Sequence, residues 1–246
     1  LLLRKRIQKH PAKSLVEKLN QRDNFLAQLS FKLTSAQLKV SAEISHDMSK
    51  PTPMLRLLQG DVGSGKTIVS ALAALQAIAN GEQAALMAPT ELLSEQHRIN
   101  FENWFQPFGI KIAWLTGKLK GKARNYQLES IADGSAKMII GTHALFQEKV
   151  NFYSLGLSII DEQHRFGVDQ RLALRKKGVT FDNSRETLKQ LPHQLIMTAT
   201  PIPRTLAMSS YADLDFSIID ELPTGRKPIE TTVINSHRRA DVIKRV

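Results

Sequence analysis

Eight consecutive residues, Gly60-Asp61-Val62-Gly63-Ser64-Gly65-Lys66-Thr67, set two glycines, with four residues between them, directly ahead of a lysine and a hydroxyl. That order, G-x-x-x-x-G-K-[ST], suits a nucleoside triphosphate. Glycines let successive backbone N–H groups curl around phosphate oxygens, and a helix that starts at the lysine adds the partial positive charge of its N-terminus. Lys66 would reach the β- and γ-phosphates, and Thr67 would give its hydroxyl to Mg2+, the ion that neutralises charge on a transferring phosphoryl group. Without further context the same residues could form a glycine-rich turn with an exposed lysine. Such a metal needs a carboxylate as well, and Asp161, which follows the apolar run LSII, supplies it, making Thr67 and Asp161 the expected metal ligands. Glu162 beside it is suited to take a proton from an attacking water. An Asp-Glu pair by itself is most often a solvated turn. With the loop present it reads as one half of an ATP-hydrolysing centre.

These residues need strands to end at them. MLRLLQ before the loop predicts a strand, and Ile68, Leu72, Leu75 and Ile78 after it share one helix face that Asn80-Gly81 closes. Short apolar runs then alternate with longer amphipathic stretches: AALMA, LLSEQHRINFENWF, KIAWL, a basic helix, KMIIGT, LSII, QLIMTAT and FSIID. Strand-helix alternation predicts an α/β fold with a mainly parallel sheet, helices on both faces and ligands beyond the carboxyl ends of the strands. Ahead of the sheet, Leu15, Leu19, Leu26 and Leu29 predict an amphipathic helix over residues 12–29, a helical linker occupying residues 1–30. Thr34-Ser35-Ala36-Gln37 has the form of a capping box and opens a helix ending near Ser49, before Pro51 and Pro53. The polar stretch 178–192 reads as a surface insertion. The tail TTVINSHRRADVIKRV, after the linker-like ELPTGRKP, predicts a strand and a basic helix that begin a second domain at 229–246.

The 246 residues allow one sizeable core, here 31–228, and 42% hydrophobic with 23% charged residues is an ordinary globular composition. Absence of cysteine excludes disulfides and thiolate metal sites. No apolar run approaches the roughly 20 residues that cross a bilayer, and LLLRKRIQKH lacks a signal-peptide core, so no membrane partner and a cytoplasmic address are expected. Both ends, Leu1 without a Met and Val246 inside RRADVIKRV, read as cut. A net charge of +11 would hold a polyanion by sequence-independent attraction.

Beyond the loop, DEQH at Asp161–His164 and MTATPIPRTLAM resemble the Asp-Glu-x-His box and the Thr-Ala-Thr motif of superfamily 2 helicases. GDVGSGKT, ALMAPTELLSEQH, LTGKLKGKAR, GTHALFQ, IIDEQHRFGV and DLDFSIIDELPTGRKP, in this order, resemble the RecG family of bacterial ATP-dependent DNA helicases. The translocase of transcription-repair coupling factors shares GDVG-x-GKT, RFGV and TATPIPRTL; His164 and DELPTGRKP favour the RecG family. The resemblance implies a RecA-like P-loop NTPase domain, a second RecA-like lobe after Val246 and a wedge domain before Leu1, acting together on branched DNA such as replication forks and Holliday junctions.

Carried over by position, Thr90 and Glu91, and Gly141, Thr142 and His143, belong to strand-end motifs that touch nucleic acid. Thr90 is equally placed to cap a helix. Gln37 matches the family's adenine-reading glutamine and is also the last residue of the capping box. His164 and Thr198-Ala199-Thr200 would couple the nucleotide to DNA movement, with Arg165 following the box. Phe31 would stack on adenine or join the core. Lys118, Lys120, Lys122 and Arg124 form either a phosphate-contacting patch or a solvated face. A kinase would need an acceptor lid and a transporter ATPase its signature between loop and carboxylate, and neither is visible. A module that binds DNA in a nucleotide-dependent way without catalysis is the other alternative, against which Glu162 speaks. Helicases of this kind take arginines from the second lobe to stabilise phosphoryl transfer, so the chain alone is expected to bind ATP weakly and turn it over slowly.

Overall fold

A strand that returns through a helix re-enters the sheet from the same side, so alternating runs line up in parallel. The computed structural model describes residues 10–147, 149–162, 190–200, 214–223, 233–239 and 243–244. Seven strands, β1 (Leu55–Gly60), β2 (Gln83–Met87), β3 (Ile112–Leu115), β4 (Met138–Gly141), β5 (Leu155–Asp161), β6 (His193–Thr198) and β7 (Asp215–Ile219), form one sheet in the order β3-β4-β2-β5-β6-β1-β7. Every neighbouring pair is parallel. β6 lies between β1 and β5, with Thr198 level with Gln59 and Met197 level with Asp161. Three strand tips therefore meet where the sequence places its phosphate loop, its Asp-Glu pair and its Thr-Ala-Thr segment.

The helices are α1 (Leu19–Gln28), α2 (Ser35–Met48), α3 (Lys66–Ala79), α4 (Glu91–Phe105) and α5 (Gly121–Ala132). All ten residues from Ile68 to Ala77 of α3 are buried, so this helix is apolar nearly all round and lies inside the domain. One core joins α1 to α4 with Leu58, Leu86, Ile140, Ile159, Leu195 and Met197 of the sheet. A second, on the alternate positions Ala85, Met87, Ile139 and Ile160, packs against Ile131 of α5 with Leu145 and Val150. Among the described residues no helix is long and apolar enough to cross a membrane.

The N-terminal segment differs from its periodicity. Helix forms only over Leu19–Gln28, and Ala12 and Leu15 instead donate their N–H groups to Pro51 O (3.0 Å) and Met48 O (2.8 Å). Those bonds satisfy the backbone across the domain rather than along a helix. Leu15 is fully buried, whereas Leu19, on the expected apolar face, is 61% exposed. The anchor of α1 is Phe25, whose ring packs edge-on against Phe105 at 6.0 Å. The segment read as a linker thus contributes to the main core. At the other end, the expected strand is not formed over residues 233–235, which precede a single 3-10 turn, Ser236–Arg238. Most of the polar stretch, 178–189, lies outside the described residues.

Candidate functional site

β1 delivers the chain at Gly60 and α3 takes it up at Lys66. Between them Gly63 and Gly65 adopt φ of 76° and 92°, the left-handed region that glycine enters without steric cost. A Cβ on Gly65 would collide with the Gln37 amide nitrogen. The turn is braced from within, Ser64 N–H donating to Asp61 O at 3.1 Å and Val62 N–H to Asp61 Oδ1 at 2.7 Å. Lys66 folds back on its own loop, donating Nζ to Gly60 O (2.7 Å) and Asp61 O (2.9 Å). Burial holds its ammonium below the usual lysine range, against the opposing pull of Glu162, Asp161 and Asp61. The cation is therefore partly desolvated, faces carboxylates and is held by carbonyls that phosphate oxygens can replace.

Gln37 is 2% exposed and both ends of its amide are engaged. Oε1 accepts from Thr34 N–H at 2.9 Å, and the Gln37 N–H returns to Thr34 Oγ1 at 3.3 Å, completing the capping box. Nε2 donates to Ser64 O at 2.8 Å, which joins α2 to the phosphate loop. Phe31 is 45% exposed, on the surface rather than in the core.

At the tip of β5, Asp161 is 8% exposed and its Oδ2 lies 2.7 Å from His97 Nε2. Glu162 is the one non-glycine residue with positive φ (50°) among those described. Such a backbone is strained for a residue with a side chain and persists where neighbours fix it. Here its N–H donates to Met197 O at 3.0 Å, while its Oε1 accepts from Ala199 N–H at 3.1 Å and Thr198 Oγ1 approaches Oε2 at 3.5 Å. Thr200 N–H donates to Thr198 Oγ1 at 3.1 Å. The Thr-Ala-Thr segment thus grips the carboxylate expected to act as base. Among the described residues no group of three or more His, Cys, Asp or Glu could hold a metal. The Asp161 carboxylate and the Thr67 hydroxyl are oxygen donors of the kind that a hard divalent cation takes.

The tips of β2 and β4 form a rim beside this centre. Thr90 is exposed and caps α4, its Oγ1 accepting from Leu93 N–H at 3.3 Å. Glu91 pairs with Lys118 at 2.6 Å and lifts that ammonium above its usual range. Gly141 presses so closely on Leu115 O that a side chain there would clash. Thr142 is 2% exposed, its N–H donates to Leu115 O and its hydroxyl has no partner among the described residues. His143 is exposed, as are Lys118, Lys120 and Lys122, whereas Arg124 is committed to Thr116 O and Gln147. His164 and Arg165 lie outside the described residues.

Two residues escaped the motif reading. His97 falls on the buried stripe Ser94, His97, Phe101 and Phe105 of α4, and a histidine among buried positions signals a polar partner. Glu221 accepts from Ser35 Oγ (2.8 Å) and Ala36 N–H (3.0 Å) at the start of α2, which holds its carboxyl below the usual range.

The family model described as DEAD/DEAH box helicase matches residues 34–209, well over half of the chain. The chain belongs to the DEAD/DEAH box helicase family. This helicase domain is 60% identical over all 246 residues to the ATP-dependent DNA helicase RecG of Escherichia coli (strain K12), covering 34% of that protein. With RecG of Pasteurella multocida (strain Pm70) it shares 62% identity over 225 residues, 92% of this chain and 32% of the relative. A solved structure of RecG bound to a three-way DNA junction superposes with a TM-score of 0.84 at 38% identity, covering 99% of this chain and 31% of that one. The helicase domain thus spans about a third of the relatives it matches.

Proposed function

We propose that the chain is the ATP-binding half of a motor that remodels branched DNA. The observation that carries this reading is the junction at β6, where Ala199 N–H holds the Glu162 carboxylate close enough for its charge to act on Lys66. Lys66 exchanges the Gly60 and Asp61 carbonyls for the β- and γ-phosphates. Thr67 and Asp161 would hold Mg2+, which would supply neutralising charge to the transferring phosphoryl group. Glu162, aimed by Ala199 and Thr198, takes the proton of the attacking water. Gln37 fixes the loop through Ser64 and marks the side where adenine binds.

Along the rim, Thr90, Glu91, His143 and the neighbouring lysines face the DNA backbone, while Gly141 and Thr142 shape the ledge beneath, and Arg165 is assigned to DNA contact by its place after the Asp-Glu-x-His box. His164 and Thr198-Ala199-Thr200 relay the nucleotide state to that rim. The three-way DNA junction bound in the similar RecG structure supports branched DNA as the substrate; we extend this to forks and Holliday junctions, to recombination and repair as the setting, and to a cytoplasmic location. Similarity to RecG also favours this reading over a coupling-factor translocase. A second RecA-like lobe and a wedge domain complete the motor, and the second lobe brings the missing arginines.

The test is binding of a fluorescent ATP analogue with Mg2+. Lys66→Ala is expected to weaken it about 100-fold, the scale of a lost charge-assisted contact. Glu162→Gln should bind normally, and in a protein that includes the second lobe it should abolish turnover. Nucleotide binding indifferent to Lys66, or turnover that survives Glu162→Gln, would sink the reading.

A further inference from the structure

The geometry points to His97 as a positioning residue for Asp161, holding one carboxylate oxygen so that the other is presented to the metal of a metal-nucleotide complex. This rests on the proposed function above. His97 and Asp161 are 64 positions apart, 6% and 8% exposed, and 2.7 Å separates Nε2 from Oδ2. An ionised carboxylate only accepts, so the contact uses the imidazole tautomer with its proton on Nε2. The hydrogen bond from His97 is the one to the Asp161 side chain among the described residues, and it restrains the carboxylate from turning about its last bond.

The imidazole is held by burial, its Nδ1 having no hydrogen-bond partner among the described residues. It projects from the buried stripe of α4 between Ser94 and Phe101, and Ser94 Oγ accepts from Trp114 Nε1 at 2.8 Å. The same helix starts at Thr90 and Glu91, about 10 Å away at 1.5 Å per residue. The element that begins on the rim therefore carries the group that orients the metal-binding carboxylate. Partners that orient a metal ligand from behind change metal affinity by roughly 10- to 100-fold when removed.

The test separates metal from nucleotide. Binding of a non-hydrolysable ATP analogue is measured without divalent metal, and Mn2+ binding to the analogue complex is followed by electron paramagnetic resonance. In His97→Leu, Mn2+ affinity should fall about 10- to 100-fold while metal-free analogue binding stays within about 2-fold, and His97→Gln, which restores a donor, should recover most of the loss. If His97→Leu does not fold, His97→Asn, whose shorter amide stops short of Asp161, carries the same comparison. Unchanged Mn2+ affinity in a folded variant, or equal losses with and without metal, overturns the inference while leaving the proposed function standing. Failure of the unaltered chain to bind Mn2+ with the analogue overturns both.

Discussion

The tips of β1, β5 and β6 differ from the tips of β2 and β4 in how far their side chains reach. On the nucleotide side, polar groups cross between elements: Gln37 to Ser64, His97 to Asp161, and Glu162 to Ala199. On the rim, Thr90 caps its own helix three residues on, Thr142 bonds the adjacent strand through its backbone, and Glu91 crosses to Lys118 only at the exposed surface. Phosphoryl transfer demands groups held to a fraction of an ångström, which cross-ties supply. Gripping a sugar-phosphate backbone demands shape and exposed donors, which local capping and surface lysines provide.

The sharpest way to break this contrast is Gly65→Ala. At φ of 92° a non-glycine residue costs about 1–2 kcal/mol, and the new methyl also displaces the Gln37 amide from Ser64 O. Loss of nucleotide binding by more than about 100-fold and a clear fall in Tm are expected, by calorimetric titration and thermal unfolding. Binding retained within about 3-fold would mean that the tie from α2 does not shape the loop.

The same contrast governs what could be read from the chain itself. Short apolar runs placed all seven strands, and period-3.6 patterns the helices after β1 and β2, because strands covered on both faces are apolar along most of their length. The phosphate loop was legible for a similar reason: its conformation is local and written in glycines. His97 was not, because its meaning depends on a carboxylate 64 positions away, and only its place in a buried stripe hints at it. Residues 12–18 failed for the complementary reason. Leu15 matches a helix face, yet the N–H groups of Ala12 and Leu15 find acceptors at Pro51 and Met48 once the core closes. Gln37 offered capping or nucleotide contact as alternatives, and an amide with two ends serves the cap and the loop together.

A middle-sized effect separates the two jobs of Thr90. Its oxygen accepts from Leu93 N–H, which leaves its hydroxyl proton free to meet a phosphate. Thr90→Ala should lose about 1 kcal/mol of stability through the cap, whereas Thr90→Asp, itself a good cap, should keep it. The aspartate would place a negative charge against DNA, so affinity for a junction substrate at low salt should fall roughly 10-fold, steeply salt-dependent. Unchanged DNA affinity in a stable Thr90→Asp protein would remove Thr90 from the interface and make the rim purely structural at that position.

The smallest effect is expected at Thr142, and its smallness is the point. The hydroxyl is buried and has no hydrogen-bond partner among the described residues, so it contributes desolvation cost without a bond in return. Thr142→Val keeps the branched shape, and replacing an unsatisfied group by an apolar one of the same form should leave Tm unchanged or raise it by a degree or two, equivalent to about 0.5 kcal/mol. DNA affinity should also hold, since the backbone bond to Leu115 O survives the substitution. A fall of about 10-fold in DNA affinity at unchanged Tm would show instead that Thr142 turns outward to meet phosphate. The rim would then store an unmet hydrogen bond for its ligand, as the phosphate loop stores the Lys66 ammonium on carbonyls it can give up.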